Sequence, residues 1–270
     1  MRSLPLTPLD DWIAEKIGHP RGRSLTQAAL NRYQLSKLNA TIAFAACNSP
    51  FYKAHLGGRM PAVLERLEEI ARRPFPTARD RRREPHRVLC GSQDSVARVV
   101  TLQTSGTTQR PKRIFFTETD LEQTVDFFHR GMATLVSPGE RVLILMPGQR
   151  YGSVGDLLQK GLARMDVKGI IHGPLTDPAA AVADIRGERI SCLVGLPAQV
   201  NALARSAPAA DIPKGQIASV LLTADYVPRS IVAALEEGWG CRVYQHYGMT
   251  ESGYGGGVAC AARDGYHLRE

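Results

Sequence analysis

Short apolar runs alternate with helical segments from about residue 97 to residue 245, and this alternation constrains the fold more than any other feature. Strands are predicted at 97–102, 112–116, 141–146, 168–172, 191–194, 219–222 and 241–245. Helices are predicted after Thr117 and at 153–164, 178–186, 197–205 and 228–237. Strands that alternate with helices require crossover connections, which build a mostly parallel sheet covered on both faces. The predicted class is therefore α/β, with layered, mostly parallel sheets.

A helical N-terminal segment is predicted to precede this core. Apolar residues recur at helical spacing from Ser24 to about Cys47, before the turn-forming Asn48-Ser49-Pro50. A second short helix is predicted from about Ala62 to Arg72. Because the composition changes near residue 95, we predict a helical segment with an Arg/Pro-rich connection at 1–95 and the α/β core at 96–270.

The net charge of +8 is concentrated in one place. Seven arginines stand between Arg72 and Arg87, opposed only by Asp80 and Glu84. Such a run can bind phosphate backbones, but this one lies among prolines and contains Phe75 as its one aromatic residue. A solvated surface segment is the better interpretation, so nucleic acid is not an expected partner.

Composition also bears on the compartment. No apolar run is long enough to cross a bilayer, and the first residues carry no signal-peptide core. The five cysteines are odd in number and form no C-x-x-C pair, which argues against a disulfide framework and a structural zinc site. We therefore predict a cytoplasmic protein without a membrane partner.

A hydroxyl-rich loop follows the strand that is predicted to end at Leu102. Its sequence is Thr104-Ser105-Gly106-Thr107-Thr108-Gln109-Arg110-Pro111-Lys112. Hydroxyls, backbone N–H groups and an ammonium suit the many acceptor oxygens of a polyphosphate. It is not the P-loop of ATPases, because Pro111 and Arg113 stand where a glycine and a hydroxyl residue are required. A Ser/Thr-rich hairpin is an equally good interpretation, and both can hold at once.

A second loop leaves the strand that begins near Cys241, with the sequence Tyr244-Gln245-His246-Tyr247-Gly248-Met249-Thr250-Glu251. Tyr247 can stack on a base, Thr250 can donate to a phosphate oxygen, and Glu251 suits a magnesium ion that keeps waters and phosphates. Taken alone, the same residues also fit a strand exit with a capped end.

Together the two loops resemble the T-S-G-T-T-G-x-P-K and Y-G-x-T-E signatures of the adenylate-forming (AMP-binding) superfamily, which includes acyl-CoA synthetases, luciferases and adenylation domains of peptide synthetases. Asn48-Ser49-Pro50-Phe51-Tyr52, Gly257-Val258-Ala259 and Asp264-Gly265-Tyr266-His267 resemble the phenylacetate-CoA ligase branch. The resemblance covers residues 25–270 and implies that the α/β core binds a nucleotide.

The resemblance also implies a role for each matching residue. The β- and γ-phosphates of ATP would be held by Thr104, Ser105, Gly106, Thr107, Thr108 and Lys112. The adenine would meet Tyr247 and the turn Thr223-Ala224-Asp225, while Thr250 would contact the α-phosphate and Glu251 would hold Mg²⁺. Thr250, Glu251 and Lys112 would be the catalytic residues. The carboxylate pocket would draw on 149–152, 195–199 and Gly248, with Tyr151 as an aromatic lining residue.

The implied reaction joins a small carboxylate to ATP. The carboxylate would attack the α-phosphorus to give acyl-AMP and pyrophosphate, and coenzyme A would then take the acyl group on its thiol. ATP, Mg²⁺ and coenzyme A as co-substrate are therefore expected. An aromatic carboxylate follows from the phenylacetate branch alone.

Some family features differ or are missing. Gln109 replaces the second glycine of the phosphate loop. The ribose-binding aspartate, the hinge and the small C-terminal domain with its catalytic lysine have no counterpart before Glu270. The expectation is an incomplete ligase core, with a complementing C-terminal domain or a second copy of the chain as partner. The alternative is a non-catalytic module that binds a nucleotide or acyl-adenylate, or one subunit of a split enzyme.

Overall fold

The computed structural model describes residues 7–19, 25–57, 63–77, 79–80, 84–102 and 111–269. The chain forms two compact units. One unit comprises Ile13–Glu118, and the other combines Met1–Trp12 with Thr119–Arg269. The domain boundary near residue 95, which the change in composition predicts, remains a prediction.

Helix α1 (Pro8–Lys16) is not among the predicted elements. Leu9 and Trp12 are buried one turn apart. The indole Nε1 of Trp12 donates to Asp126 Oδ2 at 2.9 Å, and its ring packs 6.1 Å from that of Phe127. These contacts bind the start of the chain to the larger unit.

The unit Ile13–Glu118 contains the predicted long helix, α2 (Gln27–Asn48). Ser49 ends α2 and caps α3 (Pro50–His55) by accepting from Tyr52 N at 3.3 Å, and its hydroxyl donates to Arg87 O at 2.7 Å. The predicted helix at 62–72 is wrong in type: Leu67–Arg72 form a 3-10 helix. Glu68, Glu69 and Arg72 leave that short segment little apolar surface to bury, so tertiary packing does not extend it.

The same unit contains an antiparallel hairpin of β1 (Arg98–Leu102) and β2 (Lys112–Phe116), in which Leu102 pairs with Lys112. The hydroxyl-rich segment thus joins two adjacent strands, as the hairpin interpretation requires. Its predicted phosphate-binding residues lie outside the described residues: Thr104, Ser105, Gly106, Thr107 and Thr108.

The larger unit is built on a seven-stranded sheet in the order β4-β3-β5-β6-β7-β8-β9. Its strands are β3 (Arg141–Ile144), β4 (Lys168–Ile171), β5 (Cys192–Gly195), β6 (Ser219–Leu222), β7 (Arg242–Tyr247), β8 (Gly257–Val258) and β9 (His267–Leu268). The strands β4, β3, β5, β6 and β7 are mutually parallel, and β8 and β9 add antiparallel pairs. This confirms the predicted, mostly parallel sheet.

Helices cover both faces of this sheet. They are α4 (Glu118–Met132), α5 (Val154–Ala163), α6 (Pro178–Gly187), α7 (Pro197–Ala204) and α8 (Arg229–Trp239). On β5 and β6, Leu193 and Val220 join the core packed against α6, α7 and α8. The alternate residues Val194 and Leu221 face α4 and α5. Side chains of successive strand residues point to opposite faces, so the core is divided into two layers by the sheet.

No helix within the described residues is long and apolar enough to span a membrane. All five cysteines are free; Cys192, Cys241 and Cys260 are buried. Burial raises the pKa of the Cys192 thiol to about 12 and that of Cys241 to about 11. These two cysteines therefore act as small core side chains.

Candidate active site

A cleft of about 370 Å³ opens at the carboxyl ends of β6 and β7. Its walls are the loop 224–227 after β6 and the end of β7 with Gly248, and Tyr266 completes the lining. Ligands of open α/β sheets bind at this edge, beyond the carboxyl ends of the strands. The volume falls within the range of about 300–1,000 Å³ that small-molecule sites occupy.

The turn after β6 is held in an unusual conformation. Ala224 has a φ of +67°, in the left-handed region that costs a residue with a side chain about 1–2 kcal/mol. Asp225 Oδ1 accepts a hydrogen bond from Tyr226 N at 2.7 Å. Strained backbone of this kind clusters at ligand-binding sites, and here it leaves the Tyr226 side chain 80% exposed beside the cleft.

Aromatic side chains form the opposite wall. Tyr247 is 49% exposed, and its ring lies 6.2 Å from that of Tyr266. The hydroxyl of Tyr266 donates to Gln245 Oε1 at 3.0 Å, which fixes its ring beside the cleft. An exposed tyrosine face supported in this way can stack on a flat heterocycle.

Gly248 is required by a close approach of the backbone. A Cβ atom at this position would lie 1.9 Å from the carbonyl oxygen of Tyr254, far inside van der Waals contact. Tyr254 N in turn donates to Met249 O at 3.0 Å, so the loop folds back on itself here. The glycine of the Tyr-Gly signature thus allows the loop to close tightly behind the cleft.

The predicted Thr250 and Glu251 lie on a 3-10 turn, Thr250–Ser252, immediately after this loop. Gly253 ends the turn with a φ of +70°, and the buried Thr124 Oγ1 lies 2.9 Å from its carbonyl oxygen. The turn is therefore attached to α4. The Glu251 side chain is exposed, as a ligand for a hydrated cation must be.

Magnesium fits this single carboxylate. Among the described residues, no three His, Cys, Asp or Glu side chains form a group able to hold a metal ion. Magnesium bound with a nucleotide needs no such cage, because one or two carboxylates, substrate phosphates and waters complete its octahedron.

An apolar cavity of about 30 Å³ lies between the sheet and helices α4 and α5. Its lining consists of Phe127, Phe128, Gly131, Met132, Met146, Val154, Leu158, Val194, Leu221, Thr223, His246 and Val258. His246 belongs to the lining of both this cavity and the cleft.

The environment of His246 is almost wholly apolar. Its Nδ1 lies 2.7 Å from Thr223 Oγ1, whereas its Nε2 is shielded from solvent and has no hydrogen-bond partner. The rings of Phe127 and Phe128 each lie 6.0 Å from the imidazole. Burial lowers the pKa of His246 to about 4. The imidazole is therefore neutral at pH 7.

The predicted carboxylate pocket matches these spaces only in part. Gly248 lines the cleft. The residues 149–152 and 195–199 border neither the cleft nor the apolar cavity, although their neighbours Met146, Val154 and Val194 line the cavity. Tyr151 is half exposed, with the Lys160 ammonium 4.3 Å from its ring centre, so it is not the aromatic lining residue of the cavity.

The structure places the predicted site residues in two groups. Ala224, Asp225, Tyr247 and Gly248 line the cleft directly, and Thr250 and Glu251 follow it on the adjoining turn. Lys112 belongs to the other compact unit, where it begins β2 and is partly buried. Its role toward a phosphate remains a prediction.

The model of the AMP-binding enzyme family matches residues 26–268. The chain belongs to this family. The match includes both loops of the cleft and the hydroxyl-rich segment before β2. No curated protein matches the sequence.

Solved structures share the fold. An open conformation of 2-hydroxyisobutyryl-CoA ligase, in complex with 2-HIB-AMP and CoA, is similar with a TM-score of 0.78 and 20% identity, over 90% of this chain and 55% of that one. The same ligase in its thioesterification state has a TM-score of 0.77 and 21% identity, over 90% of this chain and 54% of that one. The amide bond synthetase McbA from Marinactinospora thermotolerans has a TM-score of 0.50 and 20% identity, over 63% of this chain and 32% of that one. The chain thus spans about half the length of the ligase.

Sequence motifs missed several residues that build the site. Tyr226 lines the cleft but belongs to no quoted motif, whereas Gln245 and Tyr266 stand in quoted segments without a predicted role. Thr124 and Phe127 come from α4, more than 100 residues before the turn that they support. In the sequence, the apolar face of α4 predicts ordinary core packing. Its place beside β7 is visible only in the folded sheet.

Proposed function

We propose that this protein is an AMP-forming acid-CoA ligase, which activates a small carboxylic acid as its acyl-adenylate before thioester formation with coenzyme A. The observation that carries the proposal is the cleft at the ends of β6 and β7. In a member of the AMP-binding enzyme family, that cleft is lined by the strained turn at Ala224 and by the exposed face of Tyr247.

The cleft residues and the two sequence motifs together support a separate role for each part of the nucleotide site. Tyr247 would stack on the adenine, with Ala224 and Asp225 at its edge. Thr250 would donate to the α-phosphate. Thr104, Ser105, Gly106, Thr107, Thr108 and Lys112 would hold the β- and γ-phosphates, as their motif implies.

Catalysis would consist mainly of positioning and charge neutralisation. The loop fixed by Gly248 and Thr124 would orient the substrate carboxylate toward the α-phosphorus. Magnesium held by Glu251 would supply positive charge beside the phosphates. No side chain needs to form a covalent bond with the substrate in this scheme.

The same proposal includes coenzyme A as co-substrate and a phenylacetate-CoA ligase-like subtype. It also includes a cytoplasmic site of action, and a partner domain or a second copy of the chain as partner. The similar ligase structures hold an acyl-AMP and CoA, which supports the reaction class. Because the chain spans about half of their length, the complete reaction remains proposed for this protein.

Calorimetric titration with AMP tests the proposal on the chain itself. Tyr247→Ala should weaken AMP binding about tenfold, because base stacking on an aromatic side chain contributes about 1–3 kcal/mol. The matched control Tyr247→Phe keeps the ring and should bind AMP nearly as well as the wild type. Equal AMP affinities for all three proteins, or no binding of AMP, would contradict the proposed site.

The metal role has a separate test. Glu251→Gln removes the charge but keeps the shape of the side chain. We expect this variant to need a higher magnesium concentration for ATP binding, while AMP binding without metal stays near the wild-type level. Unchanged magnesium dependence would remove Glu251 from the proposed site.

A further inference from the structure

Arg269 is a partly buried cation to which the proposed function gives no role. It follows β9, and its backbone N–H donates to Gly256 O at 2.9 Å, which places it beside the start of β8. The side chain packs on α4, with its guanidinium carbon 5.7 Å from the centre of the Phe127 ring and its Nη2 3.4 Å from Gln123 Oε1. A charged side chain is seldom buried unless it is paired, so this position requires a physical reason.

The surroundings of the guanidinium offset its burial only in part. Its Nη1 is shielded from solvent and has no hydrogen-bond partner among the described residues. Burial lowers the pKa of Arg269, and Asp120 and Asp126 oppose this shift without cancelling it. Arginine nevertheless stays protonated at pH 7. An apolar side chain of similar length would avoid the cost of burying a charge, so core packing alone does not explain an arginine at this position.

The guanidinium lies against the turn that carries Thr250 and Glu251. Gly253 ends this turn, and a Cβ atom at Gly253 would lie 3.4 Å from Arg269 Nη1 and 3.1 Å from Thr124 Oγ1. Gly253 is thus enclosed between the guanidinium and a hydroxyl of α4. The middle and last residues of the turn are exposed. A short exposed turn opens easily unless tertiary contacts hold it, so its conformation depends on these two side chains.

A cation also suits the end of the turn at which it lies. The C-terminal end of a helical turn presents carbonyl oxygens with partial negative charge, and a nearby arginine stabilises that end. Arg269 lies at this end, because Gly253 is the residue at which the turn stops. A neutral side chain would fill the same space without this attraction. The position therefore favours a charge, and the charge acts on the turn.

We propose that Arg269 is a positioning residue, which acts through Gly253 to hold the turn in the conformation that presents Glu251 to magnesium and Thr250 to the α-phosphate. Arg269 needs no contact with the nucleotide or the metal for this role. The inference rests on the proposed function, which supplies the roles of Thr250 and Glu251. It adds that the metal affinity of the site depends on a side chain that binds no ligand.

Two substitutions separate the charge from the packing. Arg269→Met keeps a flexible apolar side chain against Phe127 and removes the charge, whereas Arg269→Lys keeps the charge. Calorimetric titrations of the full chain measure the affinity for adenosine and the magnesium concentration that half-saturates ATP binding. Arg269→Met should raise this magnesium concentration about threefold or more, because a turn that is in its binding conformation for about a third of the time binds about threefold more weakly. Arg269→Lys should stay within about twofold of the wild type.

Adenosine and a control variant separate this effect from general damage. Adenosine has no phosphate, so its binding depends on the cleft wall at Tyr247 and should change less than about twofold in each variant. Arg263→Met is the matched control, because it removes an equal charge from the same segment, where Arg263 pairs with Glu236 of α8. It should leave both measurements unchanged. In a Glu251→Gln protein, Arg269→Met should shift the magnesium dependence less than about twofold, because the carboxylate through which it acts is already absent.

Four results would overturn the inference. The first is an unchanged magnesium dependence in Arg269→Met, and the second is an undiminished effect of that substitution in the Glu251→Gln protein. The third is adenosine binding that weakens as much as ATP binding, since this would indicate a structural role alone. If Arg269→Met did not fold, Arg269→Gln would take its place with the same expected result. The fourth is a wild type that binds neither adenosine nor AMP, which would overturn the proposed function itself.

Discussion

Acidification should destabilise the larger unit through one residue, His246. Burial lowers the pKa of His246 from an ordinary 6.5 to about 4 in the folded protein. The unfolded chain therefore binds a proton near pH 6.5, while the folded chain excludes it until about pH 4. The free energy of unfolding must fall as the pH drops through this window.

The size of the effect follows from the shift. One pKa unit corresponds to about 1.4 kcal/mol, so the histidine should remove about 3 kcal/mol of stability between pH 6.5 and pH 4. No charged neighbour contributes to the lowered pKa, since burial is its single cause. The loss is a large share of the about 5–15 kcal/mol by which most proteins are stable.

Urea unfolding followed by tryptophan fluorescence measures this dependence. Both tryptophans of the chain, Trp12 and Trp239, belong to the same compact unit as His246. His246→Asn offers an amide toward Thr223 and does not titrate, so the carboxylates that also titrate in this range are common to both proteins. The variant should be less stable at pH 7.5 but should lose about 3 kcal/mol less on acidification. Parallel pH profiles for the two proteins would refute the reasoning.

Three further predictions concern particular contacts. Gly248→Ala forces a methyl group against the Tyr254 carbonyl oxygen and should cost about 1–3 kcal/mol of stability, measured by urea unfolding, with weaker AMP binding. Thr124→Val removes a hydroxyl that lies 2.9 Å from Gly253 O and 3.0 Å from Asp120 O, and should cost about 1–2 kcal/mol in the same assay; an unchanged midpoint would contradict a hydrogen bond from this hydroxyl. The Cys192 thiol should resist alkylation at pH 8 in the native protein, and its labelling there, located by mass spectrometry, would contradict the burial.

The sequence predicts the sheet well because local pattern and tertiary environment agree there. Leu193 and Val220 lie in mostly apolar runs, as is typical of strands buried on both faces. Helix α1 was not predicted, because four of its nine residues are charged. Its partner Asp126 is also far along the chain, so the contact that holds it is not visible in the local sequence. At Leu67–Arg72 the prediction was wrong in the opposite way, because an α-helix was predicted and a 3-10 helix forms. Helical spacing alone does not stabilise an α-helix that has little apolar surface to pack.

For the site, sequence motifs predicted residues that line the cleft and missed those that shape the space behind them. Tyr247 and Gly248 belong to a five-residue signature whose spacing is visible in one line of sequence. The cavity depends on Phe128 and His246, which are far apart along the chain and lie together only in the assembled sheet. Its volume depends on side-chain packing, which no local pattern encodes.

The site also concentrates features that lower the stability of the fold. Ala224 occupies a left-handed conformation that costs about 1–2 kcal/mol. The unpartnered His246 Nε2 costs about 1–3 kcal/mol more if nothing bonds it. Such costs are characteristic of positions held for a ligand. A substitution that relieves the strain, Ala224→Gly, should therefore stabilise the free protein in urea unfolding and leave AMP binding unchanged or weaker.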